Sequence, residues 1–184
     1  EGQDTDSQFD KNVLLIKEEI ENASKSKNIA FAVFKPTSIG RLEDFQAASQ
    51  QKNYTSETLE AIKRRYIAIG ETAAALNQAI MIDAEESWMQ AAADELAFDL
   101  MRRFNTEKVL IYNTFQLYLA DRLEKLTDYT LRAKEEGFKL GAKLVRGAYM
   151  EKERARAKQM GYASPICETK EATDMLYDKA VEFV

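Results

Sequence analysis

Short, uninterrupted apolar runs alternate along this chain with longer segments of helical periodicity. The runs are rich in Ile, Val and Phe and cover residues 29–34, 79–82, 109–112 and 140–145. Apolar runs of this length predict strands that are buried on both faces, as in a parallel sheet. Because strands that alternate with helices are typical of βαβ units, the pattern predicts an α/β fold with a parallel sheet.

The segments between the runs carry apolar residues at spacings of three and four, which predict amphipathic helices. Their apolar stripes comprise Phe9, Val13, Ile16 and Ile20, then Leu59, Ile62, Tyr66, Ile69, Ala73 and Leu76, then Trp88, Ala92, Leu96, Leu100 and Phe104, and finally Leu119, Leu123, Leu126 and Thr130. Two further helices are predicted over residues 151–160 and 170–184. No linker or internal repeat divides the 184 residues, so a single domain is expected.

Two architectures surround a parallel sheet with helices, the open doubly wound sheet and the (β/α)8 barrel. Doubly wound nucleotide-binding folds usually carry a Gly-x-Gly-x-x-Gly or Gly-x-x-x-x-Gly-Lys-Ser/Thr loop after a strand. Neither loop occurs in this sequence. The phosphate-binding loops of that architecture are therefore missing, whereas a barrel does not require them.

Charge and the content of cysteine and histidine exclude several classes of function. The formal net charge of −5 provides no basic surface for a polyanion, so nucleic acid is not an expected partner. Cys167 is the single cysteine and histidine is absent, which excludes an intrachain disulfide, zinc sites built from several cysteines or from cysteine–histidine sets, and the usual histidine-dependent catalytic dyads. No run approaches the roughly 20 apolar residues that a membrane span needs.

Polar residues lie in or directly after the four apolar runs, where the active sites of βα barrels form. They are Lys35, Asp83, Glu85, Glu86, Gln116 and Lys143. A lysine inside or at the end of an apolar strand, as expected of Lys143 and Lys35, loses hydration, which costs several kcal/mol unless the charge is paired. Asp83 would be a natural partner. Alternatively, Asp83 or Glu86 simply begins the next helix, because carboxylates are favourable at helix N-termini. The recurrence of polar residues at strand ends favours a site.

Three kinds of chemistry fit such a site. Asp83, Glu85 and Glu86 offer the oxygen ligands that Mg²⁺ prefers. A lysine could form a Schiff base with a carbonyl substrate. A lysine could also serve as a fixed cation beside an electron-rich cofactor. Gln116 would then donate and accept hydrogen bonds to a heterocyclic ring. Composition and spacing do not choose between these alternatives.

Several motifs in one order along the chain resemble the mitochondrial-type proline dehydrogenases. They are Ile82-Asp-Ala-Glu-Glu86, Tyr112-Asn-Thr-Phe-Gln116, Lys143-Leu-Val-Arg-Gly-Ala-Tyr149 and Thr169-Lys-Glu-Ala-Thr-Asp174. The resemblance implies about four βα units of a (β/α)8 TIM-type barrel, with parallel strands and outer helices. It also implies an enzyme of proline catabolism that holds FAD non-covalently, oxidises L-proline to Δ1-pyrroline-5-carboxylate by hydride transfer to flavin N5, and passes electrons to quinone.

The resemblance assigns roles to individual residues. Lys143 corresponds to the basic residue beside flavin N5, where some relatives have Arg, and Gln116 to the residue at the flavin pyrimidine edge. Lys35 and Asp83 correspond to a polar pair on the proline side, so that Lys35, Asp83 and Lys143 are the catalytic candidates. Tyr149 corresponds to a wall of the substrate pocket. Further flavin contacts are implied for Ala84, Val145, Arg146, Gly147 and Ala148.

By the same comparison, residues 1–184 are expected to form one partial barrel domain. The family's first strand ends in an acidic-glycine step, so we expect the chain to start just after it, at Glu1-Gly2, and to lack the C-terminal strands. We expect such a piece to be inactive alone and to self-associate through open sheet edges. Bacterial cytoplasm, peripheral at the inner membrane, is the expected location, with the mitochondrial matrix or inner membrane as the alternative.

Two other functions are weighed against the flavoenzyme. The first is a non-catalytic structural or interaction segment that retains the motifs without binding a cofactor. The second is a metal-assisted barrel enzyme that uses Asp83, Glu85 and Glu86, for which tight Mg²⁺ binding without affinity for flavin would be the sign.

Overall fold

A computed structural model describes residues 5–50 and 56–184, which form one parallel sheet and its surrounding helices. The Glu1-Gly2 step lies outside the described residues. Along the chain the elements are α1 (Asp6–Ser24), β1 (Phe31–Phe34), a 3-10 turn (Pro36–Ser38), α2 (Leu42–Ser49), α3 (Ser56–Leu76), β2 (Ala79–Ile82), α4 (Ser87–Phe104), β3 (Ile111–Gln116), α5 (Arg122–Glu136), β4 (Ala142–Val145), α6 (Met150–Met160) and α7 (Lys170–Phe183).

The four strands are adjacent in the order β1-β2-β3-β4, and every neighbouring pair is parallel. Each strand is joined to the next by at least one helix, as parallel pairing requires. The prediction of an α/β fold built from successive βα units is therefore confirmed. Within the described residues, no helix is long and apolar enough to cross a membrane.

Helices cover one face of the sheet and leave the other uncovered. The covered face carries the buried side chains Ala32, Phe34, Ile80, Ile82, Ile111 and Phe115. On the opposite face Val33 is 42% exposed, and Met81, Lys143 and Val145 are partly exposed. The prediction that the strands are buried on both faces is therefore wrong for β1, β2 and β4, because in the described residues the helices pack on one side only.

Strand β3 extends through polar residues that the apolar pattern did not include. It continues to Gln116, four residues beyond the predicted end at Tyr112. Asn113 Nδ2 donates to Asp94 Oδ1 at 2.8 Å, and Thr114 Oγ1 donates to the Ile82 carbonyl at 2.8 Å. These two donors find buried acceptors and so do not oppose a buried strand, whereas Asn113 Oδ1 is buried without a hydrogen-bond partner among the described residues.

Helix boundaries differ from the prediction at two places. Helix α2 was not predicted, because its eight residues bury one side chain fully, that of Phe45, and show no apolar stripe. Leu119 was predicted to begin the next helix, but α5 begins at Arg122. Leu119 instead pairs with Ile166 in an isolated antiparallel bridge.

A buried polar cluster lies between the sheet and the helices. Gln90, Asn113 and Arg122 donate to the carboxylate of Asp94 at 2.7, 2.8 and 2.7 Å. Asp94 and Arg122 are 3% and 6% exposed. The cluster connects α4, β3 and the start of α5, and its charges are tolerable in the interior because they are paired and hydrogen-bonded.

Asn105 holds the turn between α4 and β3. Its Oδ1 accepts from the main-chain N–H groups of Leu110 and Ile111, both at 2.9 Å. Its Nδ2 donates to the carbonyls of Ile111 at 2.8 Å and Lys139 at 3.0 Å. The fully buried side chain thus joins the start of β3 to the segment before β4.

Asn105→Ala is expected to lower the free energy of unfolding by about 3 kcal/mol, because it leaves buried N–H and carbonyl groups without partners. Urea denaturation followed by circular dichroism measures the change. The control is Asn28→Ala at an exposed position, which should change the free energy of unfolding by about 0.5 kcal/mol or less. Equal urea midpoints for the two variants would contradict the role of Asn105.

Candidate functional site

Four of the six polar residues expected in or after the strands come together on one side of the sheet, toward the carboxyl ends of its strands. Lys35 directly follows β1, Asp83 directly follows β2, Gln116 ends β3 and Lys143 lies in β4. The register pairs Thr114 with Lys143, which puts Gln116 and Lys143 on one face of the sheet. This is the face that the helices do not cover. We refer to the region around Lys35, Asp83, Gln116 and Lys143 as the strand-end site.

Lys143 and Asp83 form an ion pair across the strand-end site. Lys143 Nζ lies 2.6 Å from Asp83 Oδ1, and the two side chains are 30% and 27% exposed. The strands that carry or precede them are separated by β3, so the pair spans three strands. The pairing of a strand lysine with this carboxylate is the one that the sequence predicted. It fixes the position of the ammonium group on the uncovered face.

Lys35 has a hydroxyl partner instead of a carboxylate partner. Its Nζ donates to Tyr149 Oη at 3.3 Å, and this hydrogen bond is the main reason that the pKa of Lys35 is raised. The resemblance grouped Lys35 with Asp83, whereas the ion pair of Asp83 is made with Lys143. The expected loss of hydration at Lys35 is wrong, because the residue follows the end of β1 and is exposed.

Gln116 links the loops that follow β2 and β4. Its Nε2 donates to the Glu85 carbonyl at 2.7 Å, and its Oε1 accepts from the Ala148 N–H at 3.1 Å. The residue is 2% exposed. A primary amide has two hydrogens and two lone pairs, so one of each remains beyond these two bonds. Gln116 therefore positions both loops and retains hydrogen-bonding capacity.

The three acidic residues after β2 point to three different partners. Asp83 pairs with Lys143, while Glu86 Oε1 accepts from Lys152 at 2.8 Å. Glu85 accepts from the N–H and the hydroxyl of Thr37 at 2.9 and 2.8 Å. In residues 5–50 and 56–184, no three His, Cys, Asp or Glu side chains form a group that could hold a metal ion. The arrangement therefore gives no support to the magnesium alternative.

The alternative in which Asp83 or Glu86 serves only to begin a helix does not match the contacts at α4. Glu86 is the N-cap residue, but its side chain makes no capping bond. The carboxylate that caps the helix belongs to Glu153, which accepts from Ser87 N–H at 2.6 Å and Ser87 Oγ at 2.7 Å. Glu153 is fully buried. The charged sequence of α6 hides this role, which the sequence reasoning missed.

Gly147 is required by the packing of the loop after β4. Its φ is +141°, and a Cβ at this position would lie 2.4 Å from the ring of Tyr118. Tyr118 is 1% exposed, and its hydroxyl accepts from the Tyr149 N–H at 3.3 Å. Burial raises the pKa of Tyr118, so it stays a neutral phenol. Tyr118 supports the whole loop, a role that sequence reasoning did not identify.

The other residues implied as flavin contacts lie around the strand-end site. Val145 shares a sheet face with Lys143 and is half-buried, Ala84 is buried, and Ala148 is exposed. The side chain of Arg146 forms an ion pair with Asp174 and lies 4.5 Å from the centroid of the Tyr177 ring on α7. Its guanidinium is therefore engaged with α7, and its carbonyl accepts from the Tyr118 N–H at 2.7 Å.

Comparison with known proteins relates the chain to proline dehydrogenases. Human "Proline dehydrogenase 1, mitochondrial" is 41% identical over 121 residues, which cover 66% of this chain and 20% of the human protein. The "Carbapenem antibiotics biosynthesis protein CarD" of Pectobacterium carotovorum subsp. carotovorum is 32% identical over 187 residues, which cover 100% of this chain and 49% of that protein. The chain thus spans about half or less of the length of these relatives.

Solved structures share the fold. Proline utilization A from Bdellovibrio bacteriovorus matches with a TM-score of 0.83 and 19% identity, over 100% of this chain and 20% of that chain. The protein of the same name from Corynebacterium freiburgense matches with a TM-score of 0.77 and 20% identity, over 100% of this chain and 18% of that chain. These matches confirm an α/β fold of the TIM-barrel type.

A family model described as "Proline dehydrogenase" matches residues 1–184, which is the whole chain. The match agrees with the motifs at the ends of β2, β3 and β4 and with the fold. The chain therefore belongs to the proline dehydrogenase family, whose members are oxidoreductases.

Proposed function

We propose that the protein to which this chain belongs oxidises L-proline to Δ1-pyrroline-5-carboxylate in proline catabolism, with FAD as hydride acceptor and quinone as the final electron acceptor. The observation that carries the proposal is the Lys143–Asp83 ion pair, which joins β4 to the residue after β2 on the same side of the sheet as Lys35, the residue after β1. In barrels of this type, catalytic groups lie at that end of the strands. Membership of the proline dehydrogenase family supports the substrate.

The uncovered face of the sheet suits a flavin. Val33 is exposed, and Met81 and Tyr112 are half-buried, so the face is a broad apolar surface. At its end lie the ammonium group of Lys143 and the buried amide of Gln116, whose Nε2 and Oε1 each make one hydrogen bond to the strand-end loops. An apolar floor with a few polar groups at one edge is typical of cofactor sites.

In this proposal Lys143 and Gln116 hold the flavin ring, together with Ala84 and the loop from Val145 to Ala148. When bound, FAD supplies the N5 atom that accepts hydride from the proline carbon beside nitrogen. Lys143 contributes a positive charge where electron density increases during the reaction. Asp83 keeps that ammonium in place through the 2.6 Å ion pair, so little reorganisation is needed when the charge changes.

The substrate side is assigned to Lys35, Asp83 and Tyr149. Lys35 binds the proline carboxylate, because its partner is a hydroxyl and the bond to Tyr149 keeps its pKa raised and the ammonium protonated. The Tyr149 ring forms a wall of the pocket. Proline reacts as the neutral amine: hydride leaves the carbon beside nitrogen, a carbon–nitrogen double bond forms, and the nitrogen proton then passes to water to give the imine.

Residues 1–184 constitute one partial barrel domain in this proposal. A TIM barrel has eight strands, whereas the described residues contain four, and the first strand and the C-terminal strands belong to the rest of the protein. We also propose that the isolated chain self-associates through its open sheet edges. The proposed location of the protein is the bacterial cytoplasm, peripheral at the inner membrane, with the mitochondrial matrix or inner membrane as the alternative.

Lys143→Met in the full-length protein is expected to raise the dissociation constant for FAD about tenfold, because hydrogen bonds to charged groups are worth roughly 1.5–3 kcal/mol. Titration of the apoprotein with FAD, followed by flavin fluorescence, measures the constant. Lys134→Met is the matched control, since Lys134 is exposed in the last turn of α5. An unchanged constant in Lys143→Met would remove Lys143 from the flavin site.

Lys35→Met is expected to raise the KM for proline about tenfold, because the substrate carboxylate loses a charged partner. Steady-state kinetics with proline and a soluble quinone measure it. The control Lys25→Met removes an exposed lysine at the end of α1 and should leave the KM unchanged. If both variants had the KM of the parent, the carboxylate would bind elsewhere.

The 184-residue chain alone is expected to show no proline-dependent reduction of quinone, even with saturating FAD, because its described residues form four of the eight strands of a TIM barrel. Absorbance of the quinone over time measures turnover, with the full-length protein as the positive control. Steady turnover by the isolated chain would show that these strands suffice.

A further inference from the structure

Lys152, in the first turn of α6, is held at two points. Its Nζ donates to Glu86 Oε1 at 2.8 Å and lies 5.4 Å from the centroid of the Tyr149 ring. The Lys152 side chain is 65% exposed, whereas that of Glu86 is 7% exposed. The side chain of an exposed lysine normally samples many rotamers. Here the ion pair with the buried carboxylate of Glu86 restricts the position of the Lys152 ammonium group.

The backbone that carries Lys152 is also fixed. The next residue, Glu153, is fully buried and accepts two hydrogen bonds from Ser87 at the start of α4. Both ends of the Lys152 side chain are therefore tied to α4, one through Glu153 and the other through Glu86. The bond to Glu86 is also the main reason that the pKa of Lys152 is raised, which keeps the side chain charged.

The Tyr149 ring has an ammonium group near its face and another at its hydroxyl. Lys35 Nζ donates to Tyr149 Oη at 3.3 Å and lies 5.9 Å from the ring centroid. Lys152 lies closer to the centroid, at 5.4 Å. Cations within about 6 Å of an aromatic centroid are attracted to the ring. The contacts thus run from Glu86 through Lys152 and Tyr149 to Lys35.

We propose that Lys152 is a positioning residue for substrate binding. Through the face of the Tyr149 ring it sets the place of the hydroxyl that Lys35 bonds, and so the affinity of the site for a cyclic amino-acid carboxylate. The inference rests on the proposed function, in which Tyr149 and Lys35 contact the substrate. Lys152 acts through Tyr149, because its own ammonium is already bound to Glu86.

The test is Lys152→Met in the full-length FAD-loaded enzyme, since Met keeps most of the length and loses the charge. The KM for proline is expected to rise about fivefold, the equivalent of a partly exposed cation–π contact, with kcat within about twofold. Binding of tetrahydrofuran-2-carboxylate, measured by the visible flavin spectrum, should weaken by the same factor. This probe carries oxygen in place of the ring nitrogen, so its binding is independent of turnover.

Three further variants complete the test, of which the first two are controls. Lys158→Met removes a charge from the exposed last turn of the same helix and should leave the KM and probe binding unchanged. Lys152→Arg keeps a cation that can reach Glu86 and the ring, and should restore the parent values to within about twofold. Glu86→Gln removes the anchor and leaves the charge, and should also weaken probe binding. It decides the question if Lys152→Met does not fold.

A double-mutant cycle separates action through Tyr149 from a direct effect on the substrate. In a Tyr149→Leu background, Lys152→Met should add almost nothing to the loss of probe affinity, because the ring it positions is gone. Additive losses would overturn the inference, as would unchanged probe binding in Lys152→Met. If the parent enzyme oxidises proline in those cases, the proposed function stands without it. A parent enzyme that binds neither FAD nor the probe would overturn both.

Discussion

The hydrogen-bond register of the four parallel strands is the constraint on which the rest of this structure depends. Paired residues on parallel neighbours point to the same side, so the register brings Asp83, Gln116 and Lys143 to one face, with Lys35 following β1. A slip of one residue would move a polar side chain into the core beneath the helices. The buried residues that face the helices, such as Ile80, oppose such a slip.

Buried polar groups hold the strand-end loops where apolar packing stops. Gln116 joins the loops after β2 and β4, and Glu153 ties the start of α6 to the start of α4. Both side chains are almost completely buried. Leaving either without hydrogen-bond partners would therefore lower the stability of the fold by about as much free energy as several surface contacts contribute. The loops that would meet a ligand are thereby set by the interior. A reactive site needs such buried hydrogen bonds around it, because they hold its loops in one geometry.

Three lysines near the site have different partners, and the difference separates their roles. Lys143 and Lys152 are each paired with a carboxylate, whereas Lys35 bonds the Tyr149 hydroxyl. A paired ammonium keeps its position while its net field is reduced by the partner. Lys35 retains more of its charge for an incoming anion. In the proposed function, lysine therefore serves as a fixed electrostatic group in two places and as a binding group in one.

Local patterns in the sequence were enough to predict the α/β class, most helices, and the polar strand ends, since apolar periodicity and the end of an apolar run are properties of neighbouring residues. The ion pair of Lys143 with Asp83 could also be predicted, because the charge of a lysine in an apolar strand needs a partner of opposite charge. Local patterns did not predict three other features: the extension of β3 through Asn113, the capping of α4 by Glu153, and the uncovered sheet face. Each depends on groups that are distant in the chain and meet only after packing, and no local pattern encodes those distances.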